Sequence, residues 1–230
     1  MVGIVSQAPG PISYELLEAP GSLYWLARNG KQPYTGQRGL HPDGWGLLWR
    51  QGGMRLEKRG RPAGEDPEFV QWASQIESDL VIAHIRKASN PRTVSDQNAH
   101  PFSRGDLFLA HNGAVDGLPQ ENPVDSENLL AWLAGRWDRT EEGLVSLVRE
   151  ARGFRHTSLS FLMTDGRALY ALRQVTDKPH FLEYYTLFLL ETPEKAVVAS
   201  EPLDGGTWKA LANGTLVVLA PGQAPRRLKV

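Results

Sequence analysis

Ser158-Leu159-Ser160-Phe161-Leu162-Met163-Thr164-Asp165-Gly166-Arg167-Ala168-Leu169-Tyr170-Ala171-Leu172-Arg173 holds two short apolar runs, 158–163 and 168–173, joined through Asp165-Gly166. Short apolar runs bounded by turn residues read as buried strands. Asp-Gly between two such runs signals a tight turn linking antiparallel neighbours. The stretch therefore predicts a hairpin. Three more strand-like runs follow it, at 184–189, 196–199 and 215–219.

The same reading extends upstream. The β-branched run 2–5 predicts a strand, and runs 45–49 and 54–58 flank Gly52-Gly53 as a second hairpin. Runs 80–83 and 107–110 are buried-strand candidates. Helices are expected over 24–28, over 67–73 behind Pro67, from an Asp125 or Ser126 cap through Leu133, and over 140–150. Strands and helices fall in separate blocks rather than alternating. That pattern argues against a doubly wound parallel sheet and for an α+β fold, two antiparallel sheets with helices outside them. The 230 residues suit one domain, 1–230, large enough to bury a core without staples.

The chain carries 25 Lys and Arg against 26 Asp and Glu, a net charge of −1, so no nucleic-acid or membrane partner is expected. It has no cysteine, which excludes disulfides, thiolate metal sites and a cysteine nucleophile. No apolar run approaches the ~18 residues of a membrane span, and no signal-peptide pattern opens the chain, so a cytoplasmic protein is expected.

Chemistry concentrates in four segments beside expected strand ends: His41-Pro42-Asp43-Gly44-Trp45-Gly46, His84-Ile85-Arg86-Lys87-Ala88-Ser89, Asn98-Ala99-His100-Pro101-Phe102 and His111-Asn112-Gly113. Taken alone, Asn112-Gly113 reads either as a turn or as a pair of donors to a developing oxyanion. Arg86 is either an ion-pair partner or a fork for a carboxylate. Asp125 is either a helix cap or a partner for an ammonium group. His41, His84, His100 and His111 lack the spacing of a metal motif, so no metal and no cofactor is expected.

Together these segments resemble the class II (N-terminal nucleophile) glutamine amidotransferases, most closely a stand-alone bacterial subgroup. Its members begin Met-Cys and carry His-x-Asp-Gly-Trp-Gly, Ala-His-Ile-Arg, His-Pro-Phe, His-Asn-Gly and Asp-Ser-Glu in that order. The matches here lie at 1–5, 41–46, 83–86, 100–102, 111–113 and 125–127, with Ser200-Glu201-Pro202-Leu203 and Thr207-Trp208 late in the chain. The resemblance implies a four-layer α/β/β/α sandwich and hydrolysis of the glutamine side-chain amide by an N-terminal cysteine whose own amine is the base. It implies that Arg86 holds the substrate carboxylate and Asp125 its ammonium. Asn112 and Gly113 would form the oxyanion hole, Ser89 and His100 would line the glutamine pocket, and His41 and Asp43 would lie near the chain start.

Val2 stands at the position of the cysteine and has no nucleophilic atom. The nearest hydroxyl along the sequence, Ser6, would lie ~13 Å away at ~3.3 Å per strand residue. The expected protein is therefore a relative without normal glutaminase activity that retains a glutamine or γ-glutamyl pocket. The alternatives are an active amidotransferase in which the cysteine has been exchanged, and an amide hydrolase with another nucleophile. Any ammonia transfer would call for a separate synthase, and a regulatory protein partner is the other expectation.

Overall fold

The structure, a computed structural model, describes residues 1–32, 35 and 37–230. The hairpin that opens the sequence reading forms as Ser160–Thr164 against Leu169–Arg173, with Phe161 opposite Leu172 and Thr164 opposite Leu169. Its loop is tied internally: Asp165 Oδ1 accepts from the amides of Arg167 (3.0 Å) and Ala168 (3.1 Å), and Thr164 Oγ1 donates to Ala168 O (2.6 Å).

Two sheets hold most of the chain. Edge to edge, the first runs Lys209–Ala210, Phe188–Glu191, Lys195–Ala199, Val2–Pro11, Glu77–Ile85, Trp45–Arg50 and Met54–Arg59. The second runs Arg226–Lys229, Thr215–Leu219, Leu169–Arg173, Ser160–Thr164, Leu107–Asn112 and Phe102–Arg104. Every pairing in both is antiparallel. The Val2–Pro11 strand is central, as expected, because it is apolar on both faces where it is paired.

Side-chain alternation builds three cores from these two sheets. Val5, Leu48, Leu80, Ile82 and Val198 of the first sheet meet Leu162, Leu169, Ala171, Val217 and Leu219 of the second in one buried cluster. The opposite face of the first sheet, with Val2, Ile4, Trp45, Leu47, Val81 and Ala83, packs on helices Leu23–Asn29 and Pro67–Gln75 through Leu23, Leu26, Phe69 and Ala73. The opposite face of the second sheet, with Phe161, Met163, Leu172 and Val218, packs on helices Asp125–Ala134 and Glu141–Ala151 through Leu129, Leu133, Leu144 and Val148. Two sheets covered on both outer faces give the expected four-layer α/β/β/α sandwich. The inner strands of both sheets are buried on both faces and read as continuous apolar runs, while the edge strands Met54–Arg59, Lys209–Ala210 and Arg226–Lys229 are charged and part-exposed.

Two local expectations are corrected. Of the expected strand at 184–189 only Phe188 and Leu189 are strand, within Phe188–Glu191, while Tyr184 ends a short helix, Pro179–Tyr184. Pro179 starts the helix at a position where its missing N–H costs nothing, and Phe181 and Tyr185 seat it in a small core with Val175. The second correction concerns Asp125, which is not a cap. The N-cap is Val124, without a side-chain bond. The Asp125 carboxylate instead accepts from the Val115 amide (2.8 Å), so it ties the segment after Gly113 to the start of the helix. Thr140 does cap its helix, accepting from Gly143 N through its side chain (2.9 Å).

Candidate functional site

A cleft of about 820 Å³, partly open to solvent, lies where both sheets end. Its walls come from the start of the central strand (Met1), the end of Glu77–Ile85 with Arg86 beyond it, and the end of Leu107–Asn112 with Gly113 beyond it. The start of the Asp125–Ala134 helix and the turn at Ser200-Glu201 complete them. Antiparallel register brings these ends together, since Val2 is opposite both Ala83 and Ala199.

Seven of the nine expected residues line this cleft: His41, Arg86, Ser89, His100, Asn112, Gly113 and Asp125. Asp43 and Val2 do not. Asp43 supports the wall instead, with its carboxylate accepting from Ala88 N (2.8 Å) and its amide donating to Arg86 O (3.0 Å). Val2 is fully buried in the core between the first sheet and its helices. Strand alternation puts the side chains of residues 2 and 4 on that face, and Met1 is the residue on the cleft wall.

Arg86 is buried. Nη1 donates to Thr93 O (3.0 Å) and Nη2 to Thr93 Oγ1 (2.9 Å), which fixes the plane of the fork. Burial lowers its pKa, and the charges of Asp43 and Asp125 act against that lowering. Asp125 therefore lies within electrostatic reach of Arg86 across the cleft. The Asn112 side-chain amide makes no hydrogen bond among the described residues, so its donors stay available.

Histidines dominate the rest of the wall. His111 Nε2–H donates to Ser158 O (2.9 Å), which leaves Nδ1 to accept from Ser126 Oγ (2.9 Å). His41 Nε2–H donates to Lys31 O (3.1 Å). Burial pushes His41 down to about 4 and holds His84 and His100 well below the usual imidazole range. Burial also lowers the Met1 amine to about 5, against the opposing charge of Glu201, and that amine donates to Ser200 Oγ (3.0 Å). No group of three or more His, Cys, Asp and Glu able to hold a metal ion occurs among the described residues.

These depressed imidazoles make a pH prediction. Their unfolded value is ~6.5, so the unfolded chain binds more protons below that pH and stability drains away as the pH falls. The contribution is complete above pH ~6.5 and declines toward the folded values, near 4 for His41. Each such histidine contributes up to about 1.4 kcal/mol per pH unit. Urea midpoints measured from pH 8 to pH 5 should fall gently at first, where only the Met1 amine with its unfolded value of 8.0 takes up protons on unfolding, and then more steeply below ~6.5 as the imidazoles join it. A midpoint unchanged down to pH 5 would contradict buried neutral imidazoles.

Met1, Tyr184 and Glu201 also line the cleft, and no local pattern marks them as lining residues. Ser200-Glu201 was visible only as part of a family-like motif, and the aromatic run at 184 pointed to a strand. Glu201 is held by Arg38 (2.9 Å) and accepts from Lys31 N (3.1 Å), a long-range arrangement that no local pattern reports.

Comparison with known proteins gives the family. The profile of the class-II glutamine amidotransferases matches residues 25–188. A putative glutamine amidotransferase of Escherichia coli is 31% identical over 223 residues, covering 78% of this chain and 85% of its own length. A γ-glutamyl-hercynylcysteine sulfoxide hydrolase of Mycolicibacterium smegmatis is 29% identical, covering 86% and 85%. An uncharacterized protein of Methanocaldococcus jannaschii is 28% identical over 80% of this chain, which spans only 62% of that relative's length. A class-II domain protein from Silicibacter pomeroyi has the same fold, with a TM-score of 0.66 over 99% of this chain and 97% of its own, at 19% identity. The chain belongs to the class-II glutamine amidotransferase family. No helix among the described residues is long and apolar enough to cross a membrane.

Proposed function

We propose that this protein binds glutamine or a γ-glutamyl compound in the cleft and lacks the family's normal glutaminase activity. One observation carries the reading. Arg86 and Asp125, charges suited to the two ends of an amino-acid backbone, line one cleft with Asn112, while the chain has no cysteine to attack an amide. Binding needs the clamp and not the nucleophile. Such a protein would act as a ligand-binding unit, either alone or beside a separate synthase or regulatory protein. The test is calorimetry with glutamine, glutamate and γ-glutamyl amides. Heat of binding is expected. No heat with any of them from the folded protein would leave a scaffold role in place of this reading.

Position 2 supplies the matching activity test. The unmodified chain should release no ammonia from glutamine above background. Val2→Cys with Met1 retained should stay silent, because the thiol would take the place of a side chain enclosed in the helix-side core. Val2→Cys with Met1 removed should release ammonia once the freed chain end turns its side chain from the helix-side core to the cleft, since the thiol then carries its own amine. Silence of that last variant, with glutamine binding intact, would show that more than the nucleophile has been lost.

A second reading, amide hydrolysis through another nucleophile, draws on Ser200. Ser6 is excluded, because it lies far along the strand beside Glu194 and Pro225 in another hollow. Ser200 Oγ sits 3.0 Å from an amine whose burial leaves it neutral and able to accept a proton at pH 7. Ammonia release by the unmodified chain that disappears in Ser200→Ala would favour this reading over a purely binding role.

A further inference from the structure

Gly46 makes room for a feature that neither the clamp nor the oxyanion donors explain. It is paired with His84 on one side and Lys58 on the other, and a Cβ at Gly46 would sit 2.0 Å from His100 O. Lys58 Nζ donates to Gln97 O (2.7 Å) and Ala99 O (2.9 Å) and so pins the segment that delivers His100. The two imidazoles meet with centroids 4.5 Å apart and planes inclined by 32°. His84 is 7% exposed and His100 5%, and both line the cleft. Among the described residues, His84 Nδ1 and both ring nitrogens of His100 have no hydrogen-bond partner. Buried polar atoms are nearly always paired, so three unpaired nitrogens on one cleft wall mark a place for a ligand group.

The charges around the pair indicate which group. Facing it are Arg86 from the same strand, Lys58 from the neighbouring strand, His41 from the preceding loop, His111 from the second sheet and the Met1 amine from the central strand. All are basic. The nearby carboxylates of Asp43 and Asp125 act on Arg86. Arg86 and Lys58 are the permanent cations beside the pair and no carboxylate acts on either ring, while Glu201 acts on the Met1 amine and His41, Asp125 on His111, and Glu127 and Asp96 on Lys58. A neutral amide would satisfy the hydrogen bonds and leave the field unanswered, whereas a carboxylate answers both.

Resting on the reading of the cleft as an amino-acid site, we propose that His84 and His100 receive the side-chain carboxylate of a dicarboxylic amino acid, which makes the preferred ligand glutamate-like rather than glutamine-like. In the free protein burial, and after it the basic surroundings, keep both rings neutral. The incoming carboxylate reverses that field, one ring takes a proton from solvent, and the resulting N–H⁺ donates to the carboxylate. Glutamine carries no such charge and binds without the proton. Affinity for glutamate therefore rises as the pH falls from 8 to 6, by up to about tenfold per pH unit for one proton taken up, while affinity for glutamine stays level.

The experiment is calorimetry on the full chain with glutamate and with glutamine at pH 6, 7 and 8. At pH 7 it is repeated in PIPES and in Tris, whose different ionisation heats report protons taken up. Proton uptake with glutamate alone, and a preference for glutamate that grows toward pH 6, are expected. His100→Gln keeps hydrogen-bonding atoms and cannot titrate, so both the proton uptake with glutamate and the preference that grows toward pH 6 should disappear. If that variant fails to fold, the uptake measured on the unmodified chain decides alone. Glutamine binding with no uptake and no preference for glutamate overturns the inference and leaves the amino-acid site standing. Binding of neither amino acid overturns both.

Discussion

Arg86→Ala is expected to abolish detectable binding of any amino acid in the cleft. The guanidinium is buried and already oriented by its two bonds to Thr93, so it meets a ligand carboxylate with little ordering left to do. Its removal leaves that carboxylate desolvated and unpaired. Truncating one member of a buried, hydrogen-bonded charge pair costs on the order of 2–5 kcal/mol, roughly 30-fold or more in affinity. Asp125→Asn should weaken binding in the same sense from the ammonium end. Because Asp125 also holds the Val115 amide, the asparagine is chosen to keep an acceptor there. Calorimetry of both variants, with circular dichroism to confirm folding, checks this. Arg86→Ala that binds as tightly as the unmodified chain would remove Arg86 from the ligand site altogether.

Gly113→Ala should be among the most damaging single-methyl changes available to the chain. Gly113 has φ of 153°, and a Cβ there would lie 2.2 Å from Ser158 O and 2.8 Å from Ser158 C. Both are backbone atoms. Ser158 O also receives the bond from His111, so it cannot retreat without cost to the cleft wall. Overpacking against fixed backbone together with backbone strain is worth about 2–4 kcal/mol, a fall in melting temperature of roughly 5–15 °C for a chain of this size. Gly52→Ala is the control. Its φ is 63° with nothing near the added carbon, so only the left-handed penalty of about 1–2 kcal/mol applies. Equal melting temperatures for the two variants would show that the approach of Gly113 to Ser158 is not tight.

The fold was legible because its inner strands are apolar on both faces and separated by Gly and Pro, so each of them announces itself locally. The 158–173 stretch gave the antiparallel hairpin from composition and the Asp-Gly turn alone. The 184–189 stretch differs for the opposite reason: Tyr184 and Tyr185 suit a strand, and the packing of Phe181 and Tyr185 on Val175 favours the helix Pro179–Tyr184 instead. Arg86, Asn112, Gly113 and Asp125 were legible as a set because their motifs lie in a family-like order, while each alone allowed a local explanation.

The sequence by itself determined what the protein lacks and which residue types it can use. That the sequence contains no cysteine, and so offers no thiol, is read from it whatever the fold. Tertiary structure decided which groups meet and which way they face. Strand alternation turns Val2 into the helix-side core and leaves Met1 at the cleft. The pairing of Gly46 with His84 opens the space in which His100 stacks, and residues 199 positions apart meet when the Met1 amine reaches Ser200. Burial and side-chain direction are properties of the assembled sheets. A string of residues fixes the alternation along each strand, but which face meets water, helix or ligand depends on partners far away in the chain.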